Sequence, residues 1–426
     1  MPFLIYNLLF PIGFLFFIPA MLFKLIKRPG WKKTYLEKFA IYSSQRKQEF
    51  AGIQGAAWLH SVSVGETMIA LKMLDKLTKE NPDKKYVLST TTVTGQQLAR
   101  DRAPAGVTVI FCPIDCRFFV NRLLRLLKPS MLVVLETEIW PNMILCSKRK
   151  GIKLALVNAR ISDRSYKGYY RWRMFFRPLL EAFDFIGAQS DIDAQRYAAV
   201  APKANIKVTG NMKFDQEVPA NLPSIDLTEF FGTEPFTVLL GASTHPGEER
   251  LLIETFSKIK PKHPELKLIS IPRHAENGGD VAKELKKAEV SFIRRSIDKN
   301  NPGEPVDCLL ADTTGEMLMF INQSDIVVMG KTLAGYDEGQ NMIEPAMLAK
   351  PIVCGPKLVN FRFLLDVLKR NDAVLSIASD SELENALIRL LDDPDAAREM
   401  GERARDVVAA NRGAITKTVK ILEELS

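Results

Sequence analysis

The segment AAWLHSVSVGETMIALKMLDKLTKE, residues 56–80, joins a short apolar stretch to a helical pattern. Residues 56–62 are mostly apolar and predict a buried strand. A turn of small residues follows, and residues 67–80 then predict an amphipathic helix. The apolar side chains that share one face of this helix are Ile69, Met73, Leu74 and Leu77. A strand that leads through a short turn into a helix is the repeating unit of a parallel α/β sheet.

The same alternation continues along most of the chain. The first half holds further predicted strands at 85–92, 107–112, 131–136, 153–158, 185–190 and 206–210. The stretch 216–235 is rich in proline and polar residues and predicts a linker. The second half resumes with predicted strands at 237–243, 266–272, 307–313, 325–330 and 351–355. Because continuous apolar strands alternate with helices, both halves are predicted to be parallel sheets covered on both faces.

These patterns divide the chain into domains. We expect a first Rossmann-like, doubly wound domain over residues 31–215 and a second over 236–395, facing each other across a cleft. Residues 396–426 are predicted to be helical and to pack back toward the first domain. Active sites in such sheets lie at the carboxyl ends of the strands, so polar side chains at those ends are the candidates for function.

The first residues predict attachment to a membrane. Residues 1–23 carry no charged side chain, and as a helix they would span about 34 Å, enough for a bilayer core of about 30 Å. Basic residues follow at Lys24, Lys27, Arg28, Lys32 and Lys33. Positive charge after the apolar stretch places the protein body on the cytoplasmic side of the membrane. Pro11 and Pro19 leave open whether this anchor, residues 1–30, crosses the bilayer or lies along it.

Composition and charge narrow the class of protein. Of the 426 residues, 46% are hydrophobic and 25% charged, which is typical of a globular chain, and the formal net charge of +8 suits anionic partners. The five cysteines form no CxxC pair, which predicts a reduced compartment. The four histidines lack the spacing of a zinc site, so a zinc enzyme is not expected. No nucleic-acid motif is present, and no obligate protein partner is expected.

Acidic residues follow two predicted strands of the first half. Glu66 stands in the first turn of a helix, whose positive end is expected to keep its carboxylate ionised for general-base catalysis. An ordinary first-turn glutamate that stabilises the helix is the other interpretation. Glu136 and Glu138 end an apolar strand and are expected to project together, with Arg160 as a plausible cation partner. A purely structural salt bridge is equally compatible with that pattern. Lys213 lies at the end of the first half of the chain, where it could neutralise a phosphate or a carboxylate.

Four motifs of the second half stand at strand ends, where a nucleotide would lie. They are GASTHPGEE (241–249), IPRHAEN (271–277), TTGEM (313–317) and GQNMIEPA (339–346). Arg273 can hold a carboxylate or phosphate through two parallel hydrogen bonds. Gly315 allows close backbone approach before a helix, and Glu344 can accept hydrogen bonds from a ribose. Together the motifs indicate a nucleotide-sugar donor.

Read in order, these stretches resemble the 3-deoxy-D-manno-octulosonic acid (Kdo) transferases of Gram-negative lipopolysaccharide assembly. The resemblance rests on HSVSVGET, TTVTGQ, ETEIWPN, NARISDRS, GNMKFD, STHPGEE, PRHAE, TTGEM and NMIEPA, and covers most of the chain. It implies a GT-B fold, CMP-Kdo as the donor and a lipid A precursor as the acceptor. It also implies an inverting reaction that needs no metal or other cofactor, and contact with the lipids of the inner membrane.

The resemblance also implies roles for single residues. Glu66 would be the general base, and Glu136 and Lys213 would stabilise the transition state. The residues that would contact CMP are Pro272, Arg273, Thr314, Gly315, Glu316, Asn341, Met342, Ile343 and Glu344. The family usually has a glycine pair, histidine, asparagine and proline where this chain has EGQNM at 338–342, which bears on the donor contacts of that loop.

Two other functions are compatible with the sequence. One is a different GT-B enzyme, such as another lipid-directed glycosyltransferase or a sugar-nucleotide epimerase. The other is a non-enzymatic membrane-bound protein that binds anions through its net positive charge.

Overall fold

The computed structural model describes residues 3–10, 13, 36–219, 221–298 and 303–425. The chain divides into two compact units, unit 1 with residues 1–215 and 412–426, and unit 2 with residues 216–411. Each unit is built around one parallel sheet.

The sheet of unit 1 has seven parallel strands. They are β1 (Ala57–Ser61), β2 (Tyr86–Thr90), β3 (Val107–Phe111), β4 (Met131–Leu135), β5 (Lys153–Ala159), β6 (Phe185–Ala188) and β7 (Ile206–Val208). Their order across the sheet is β3-β2-β1-β4-β5-β6-β7. The helices are α1 (Ser44–Gly52), α2 (Val64–Glu80), α3 (Val93–Arg102), α4 (Arg117–Leu127), α5 (Pro141–Arg149), α6 (Asp163–Arg171), α7 (Arg173–Leu180) and α8 (Asp191–Val200). A 3₁₀ turn, Met212–Asp215, closes this part of the chain.

Each face of this sheet is covered by its own hydrophobic core. Trp58, Leu132 and Leu154 pack with α4 and α5 on one side. Leu59 and Val133, which alternate with those residues along the strands, pack with α2 on the other side. Side chains of the last helix of the chain join the second core: Ile415, Val419 and Leu422. The sheet is therefore buried on both faces, as its continuous apolar strands predict.

Unit 2 repeats the architecture with a second seven-stranded parallel sheet. Its strands are β8 (Thr237–Thr244), β9 (Leu266–Pro272), β10 (Phe292–Arg294), β11 (Cys308–Leu310), β12 (Ile326–Met329), β13 (Ile352–Cys354) and β14 (Leu375–Ser376), in the order β10-β11-β9-β8-β12-β13-β14. Its helices are α9 (Thr228–Phe231), α10 (Glu248–Ile259), α11 (Gly278–Lys287), α12 (Met317–Asn322), α13 (Ile343–Met347), α14 (Arg362–Arg370), α15 (Leu383–Asp392) and α16 (Pro394–Ala410). These sheets confirm the predicted class of two doubly wound domains.

The end of the chain is divided between the units. Helix α16 belongs to unit 2, whereas α17 (Ala414–Leu425) belongs to unit 1. The carboxylate of Asp215 accepts hydrogen bonds from the backbone NH groups of Gly413 at 2.5 Å and Ile415 at 2.6 Å. These bonds satisfy free NH groups at the start of α17 and fix that helix to unit 1.

The predicted membrane anchor, residues 1–30, lies largely outside the described residues. Residues 3–10 are helical, and within them the ring of Phe3 packs against that of Phe175 in a tilted arrangement, with 5.2 Å between ring centroids. The Tyr6 hydroxyl donates a hydrogen bond to Asp115 at 2.9 Å. Among the helices that the structure describes, none has the length and apolar character needed to cross a bilayer.

Candidate active site

The strand order of both sheets fixes where ligands are expected. In each sheet the chain runs from a central strand to one side and then returns to continue on the other side. This change of direction lies between β1 and β4 in unit 1 and between β8 and β12 in unit 2. Ligands of open α/β sheets bind outside the carboxyl ends of the strands at such a switch point. In unit 1, Glu66 follows β1 and Glu136 follows β4, so these two acids flank the switch point.

Glu66 is held by the loop that precedes its helix. Its carboxylate accepts hydrogen bonds from the backbone NH of Val62 at 2.8 Å and from the Ser63 hydroxyl at 2.7 Å. The Ser63 hydroxyl also accepts a hydrogen bond from the NH of Glu66, which completes a reciprocal capping box. The helix-stabilising role is therefore present. The same carboxylate is buried at the switch point, where ligands of such sheets bind.

Burial has the largest effect on the pKa of Glu66. Burial raises the pKa of Glu66, and the charge of Glu136 raises it further, while the hydrogen bonds from Val62 and Ser63 lower it. The net direction is upward because the loss of water around the carboxylate outweighs those hydrogen bonds. A glutamate whose pKa is raised toward neutrality is a stronger base than an exposed one.

Glu138 completes a cluster of three acids with Glu66 and Glu136. Burial is the main cause that raises the pKa of Glu138 to about 7, and the charges of Glu66 and Glu136 act in the same direction. The indole NH of Trp140 opposes the shift by donating to the Glu138 carboxylate at 3.0 Å. The pKa of Glu138 therefore depends on the charge state of Glu66, and that of Glu138 in turn bears on Glu66.

Glu136 does not continue the strand as the sequence suggested. Its backbone has φ of 55°, in the left-handed region, whereas an extended chain was assumed for residues 136–138. This turn directs the chain away from the sheet edge immediately after β4. The cation that the structure places beside Glu136 is Lys213, with 3.6 Å between its Nζ and a carboxylate oxygen. The pairing predicted with Arg160 stays a prediction.

Lys213 lies on the 3₁₀ turn Met212–Asp215, which is fixed at both ends. The side chain of Asn158, at the end of β5, accepts a hydrogen bond from the NH of Met212 at 3.0 Å. Asp215 holds the start of α17 at the other end, as described above. Lys213 is therefore presented to Glu136 by a turn that two separate elements position.

We predict that replacing Glu138 with glutamine will make stability less dependent on pH. In the folded protein the pKa of Glu138 is about 7, above its usual 4.5, so the folded state binds the proton more tightly than the unfolded state. Stability therefore falls as pH rises from about 4.5 through 7. Between pH 5 and pH 8, the free energy of unfolding of the variant should therefore fall by on the order of 1–2 kcal/mol less than that of the wild type. This figure allows for the partial exposure of Glu138.

Urea denaturation of Glu138→Gln at pH 5 and pH 8 measures this change. Glu80→Gln, at the exposed last turn of α2, is the matched control and should follow the wild type. A pH dependence that is the same in Glu138→Gln and the wild type would contradict the electrostatic coupling of the three acids.

In unit 2 the predicted donor contacts fall into two groups. Arg273 is exposed at the end of β9, and its backbone NH donates to the carbonyl of Thr244 at 2.8 Å. Its charge lowers the pKa of Glu344, while burial, the larger effect, raises it. The Asn341 side chain donates to the Glu344 carboxylate at 3.2 Å. The structure thus brings Arg273, Asn341 and Glu344 into one neighbourhood, and the altered loop keeps the Asn341–Glu344 contact.

Several predicted contact residues can offer only backbone groups to a ligand. The side chains of Pro272, Met342 and Ile343 are buried. The Glu316 carboxylate is already held by Arg295, at 2.7 Å from Nε and 2.5 Å from a terminal guanidinium nitrogen, and these bonds lower its pKa. Thr314 and Gly315 are exposed, and Gly315 has φ of 89°, which leaves their backbone accessible.

Sequence reasoning missed three residues at the unit 2 switch point. His245 follows β8, Lys331 follows β12, and the buried carboxylate of Glu248 accepts hydrogen bonds from backbone NH groups in both loops. The motif GASTHPGEE contains two of them, but nothing in the sequence indicated that Glu248 reaches the loop after β12. Within the described residues, no three histidine, cysteine or acidic side chains are grouped as a metal site.

The sequence is similar to those of known proteins. Residues 33–216 match the family model of the 3-deoxy-D-manno-octulosonic-acid transferases (kdotransferase). The chain is 29% identical over 401 residues to the 3-deoxy-D-manno-octulosonic acid transferase of Haemophilus influenzae, covering 93% of this chain and 92% of the relative.

Two solved structures share the fold at low sequence identity. A glycosyltransferase from Rickettsia africae superposes with a TM-score of 0.60 at 12% identity, covering 87% of this chain and 98% of that one. A putative UDP-N-acetylglucosamine 2-epimerase from Listeria monocytogenes superposes with a TM-score of 0.59 at 14% identity, covering 87% and 95%. The same fold thus occurs in proteins with different names, and it does not by itself decide the chemistry.

Proposed function

We propose that this chain is a Kdo transferase that moves Kdo from CMP-Kdo to a lipid A precursor, with inversion and without a metal ion; the match to the family model and the similarity to curated Kdo transferases support this. The observation that carries the proposal is the cluster of Glu66, Glu136 and Lys213 at the unit 1 switch point, within the segment that matches the family model.

The proposed reaction is a single displacement at the anomeric carbon of Kdo. The Glu66 carboxylate takes the proton of the acceptor hydroxyl, whose oxygen forms a bond to that carbon. The bond from the carbon to the phosphate oxygen of CMP breaks, and CMP leaves with the electron pair. Positive charge develops on the sugar ring in the transition state and negative charge on the leaving phosphate. We assign the carboxylate of Glu136 to the first and the ammonium group of Lys213 to the second. In unit 2, Arg273 and exposed backbone groups at 314–315 bind the donor.

Mass spectrometry of the reaction products tests the proposed function. Purified protein is incubated with a tetraacylated disaccharide bisphosphate and either CMP-Kdo or a UDP-sugar, with EDTA present. We expect the acceptor to gain Kdo from CMP-Kdo alone. Transfer from the UDP-sugar, or epimerisation of it, would favour another GT-B enzyme, and no consumption of either donor would favour a non-enzymatic protein.

We predict that Arg273→Ala will raise the donor KM by about tenfold to a hundredfold, because a charge-assisted hydrogen bond contributes about 1.5–3 kcal/mol. Arg273→Lys should lie in between, since lysine cannot form two parallel bonds. The acceptor KM should stay within about twofold. Arg250→Ala, an exposed arginine on α10 that pairs with Glu254, is the matched control. An unchanged donor KM would place the donor elsewhere.

We also propose attachment to the inner membrane on its cytoplasmic side. Large apolar side chains are exposed on unit 1, among them Leu4 at 74%, Trp172 at 64% and Met174 at 83%. Trp172 and Met174 alternate with Arg171 and Arg173, whose positive charges suit anionic headgroups. The contact of Phe3 with Phe175 joins the helical residues 3–10 to this part of unit 1.

Sedimentation with anionic phospholipid vesicles measures the attachment. Deletion of residues 1–23 should lower the bound fraction strongly, and Trp172→Ser with Met174→Ser should weaken binding about tenfold or more. Ile297→Ser with Val359→Ser, two exposed apolar residues of unit 2, is the matched control. Undiminished sedimentation of the deletion and of the Trp172/Met174 variant would refute the attachment proposed here.

A further inference from the structure

Ionisable side chains follow three neighbouring strands of unit 2. His245 follows β8, His274 follows β9 and Lys331 follows β12. Strand β8 lies between β9 and β12 in the sheet. The switch point of this sheet falls between β8 and β12, so His245 and Lys331 stand on its two sides.

Glu248 fixes the two loops that carry His245 and Lys331. Its carboxylate, 3% exposed, accepts hydrogen bonds from four backbone NH groups, those of His245 at 2.9 Å, Lys331 at 2.7 Å, Thr332 at 2.8 Å and Leu333 at 2.9 Å. Such bonds to an ionised carboxylate are stronger than those between neutral groups. They also hold Lys331 in a left-handed conformation, with φ of 62°. The loops are therefore preorganised, and a ligand need not order them.

The His245 ring is surrounded by polar and positively charged groups. The ring centroid of Tyr336 lies 5.2 Å away and that of His274 lies 6.2 Å away. The side-chain nitrogen of Gln340 lies 3.2 Å from Nε2 of His245, so when Gln340 donates, Nδ1 carries the ring proton and can donate in turn.

Most of the charges around the His245 ring are positive. Burial lowers the pKa of His245 most, and the charges of Lys331, His274 and Arg273 lower it further, while Glu248 opposes them. Acidic side chains also lie near the edge of the cluster, with Glu338 at 3.5 Å from Lys331 and Glu276 at 4.0 Å from His274. Positive groups that repel one another at a strand edge are relieved by a bound anion.

We propose that His245 and Lys331, with Arg273 and His274 beside them, form a subsite for an anionic group of the donor. The chemistry is that of a phosphate or a carboxylate, and CMP-Kdo carries both. This inference rests on the function proposed above, and adds to it the residues that recognise the donor's charge. Glu248 acts as a positioning residue for the subsite.

Calorimetry and kinetics on His245→Ala and Lys331→Met test the subsite. We expect each change to raise the KM for CMP-Kdo about tenfold to a hundredfold. If the subsite holds the phosphate, affinity for CMP falls in parallel. If it holds the sugar carboxylate, affinity for CMP stays near that of the wild type while the KM for CMP-Kdo rises. Either result supports the subsite, and the difference between them identifies which group of the donor, the phosphate or the carboxylate, it binds.

Matched controls are His263→Ala and Lys258→Met, on the turn before β9 and the last turn of α10. A KM and a CMP affinity within twofold of the wild type for both subsite variants would overturn the inference. Failure of the proposed function is distinguishable, because the wild type itself would then neither transfer Kdo nor bind CMP. In that case binding of inorganic pyrophosphate is measured instead. The subsite is supported if both variants bind pyrophosphate more weakly than the wild type does, and is refuted if they do not.

Discussion

Glu66→Gln will lower the rate of Kdo transfer about a hundredfold to ten-thousandfold and leave the affinity for CMP unchanged. Glutamine has nearly the shape of glutamate but cannot take a proton from the acceptor hydroxyl. It can, however, replace glutamate in a capping box. The substitution therefore separates the two roles that the structure gives this residue, since the helix cap is kept and the base is removed.

Three measurements decide the role of Glu66. Single-turnover kinetics gives the rate, calorimetry gives the affinity for CMP, and urea denaturation should show a loss of stability of no more than about 1 kcal/mol. Glu80→Gln, on the last turn of the same helix, is the control and should be fully active. Near-normal turnover of Glu66→Gln would mean that Glu66 only caps its helix and is not the general base.

The rate should also depend on pH in a defined direction. Burial and the charge of Glu136 raise the pKa of Glu66, and the base is active when deprotonated. Transfer should therefore slow as pH falls through that raised pKa, at a higher pH than an exposed glutamate would give. Because Glu138 shares the titration, the acidic side of the profile reports the cluster, and it should move in Glu138→Gln.

The fold was predictable from the sequence because it depends on repeated local patterns. The strand predicted at 237–243 is observed as Thr237–Thr244, and the one predicted at 266–272 as Leu266–Pro272. The short strand Phe292–Arg294 was missed because three residues carry too little apolar pattern. The predicted linker 216–235 contains helix α9, whose Phe230 and Phe231 are buried. Burial of those rings is a tertiary effect that a proline-rich stretch does not indicate.

The sequence indicated candidate residues for the site but not how they are arranged. Sequence order placed Glu66 and Glu136 at strand ends, but the left-handed turn at Glu136 was invisible, because that conformation is rare for glutamate and has no sequence signal here. The pairing of Lys213 with Glu136 joins residues from two distant turns. Long-range contacts of this kind arise from the packing of the whole unit, as does the reach of Glu248 across the second switch point.

Lys213→Met will lower the rate of transfer about a hundredfold to a thousandfold, the range seen when a group that stabilises transition-state charge is removed. The substitution keeps the length of the side chain and removes its charge. It also leaves Glu136 without the cation 3.6 Å away, so a loss of stability is expected as well. Activity and stability must therefore be separated, since a structural salt bridge would also respond to this change.

A double-mutant cycle with Glu136→Gln makes that separation. In the double variant the carboxylate that lost its cation is removed as well, so stability should return toward that of the wild type, while transfer stays at least a hundredfold slow if Lys213 acts on the transition state. The exposed pair Asp75 and Lys79 on α2 is the matched control, and its cycle should show coupling of about 0.3–0.5 kcal/mol with no change in rate. Recovery of the rate together with the stability in the double variant would reduce the Lys213–Glu136 pair to a structural salt bridge. Because Glu136 is itself assigned to the transition state, the rate of the double variant is compared with that of Glu136→Gln alone. A rate in the double variant that lies well below that of Glu136→Gln, in a stable protein, shows that the positive charge of Lys213 is used in the reaction.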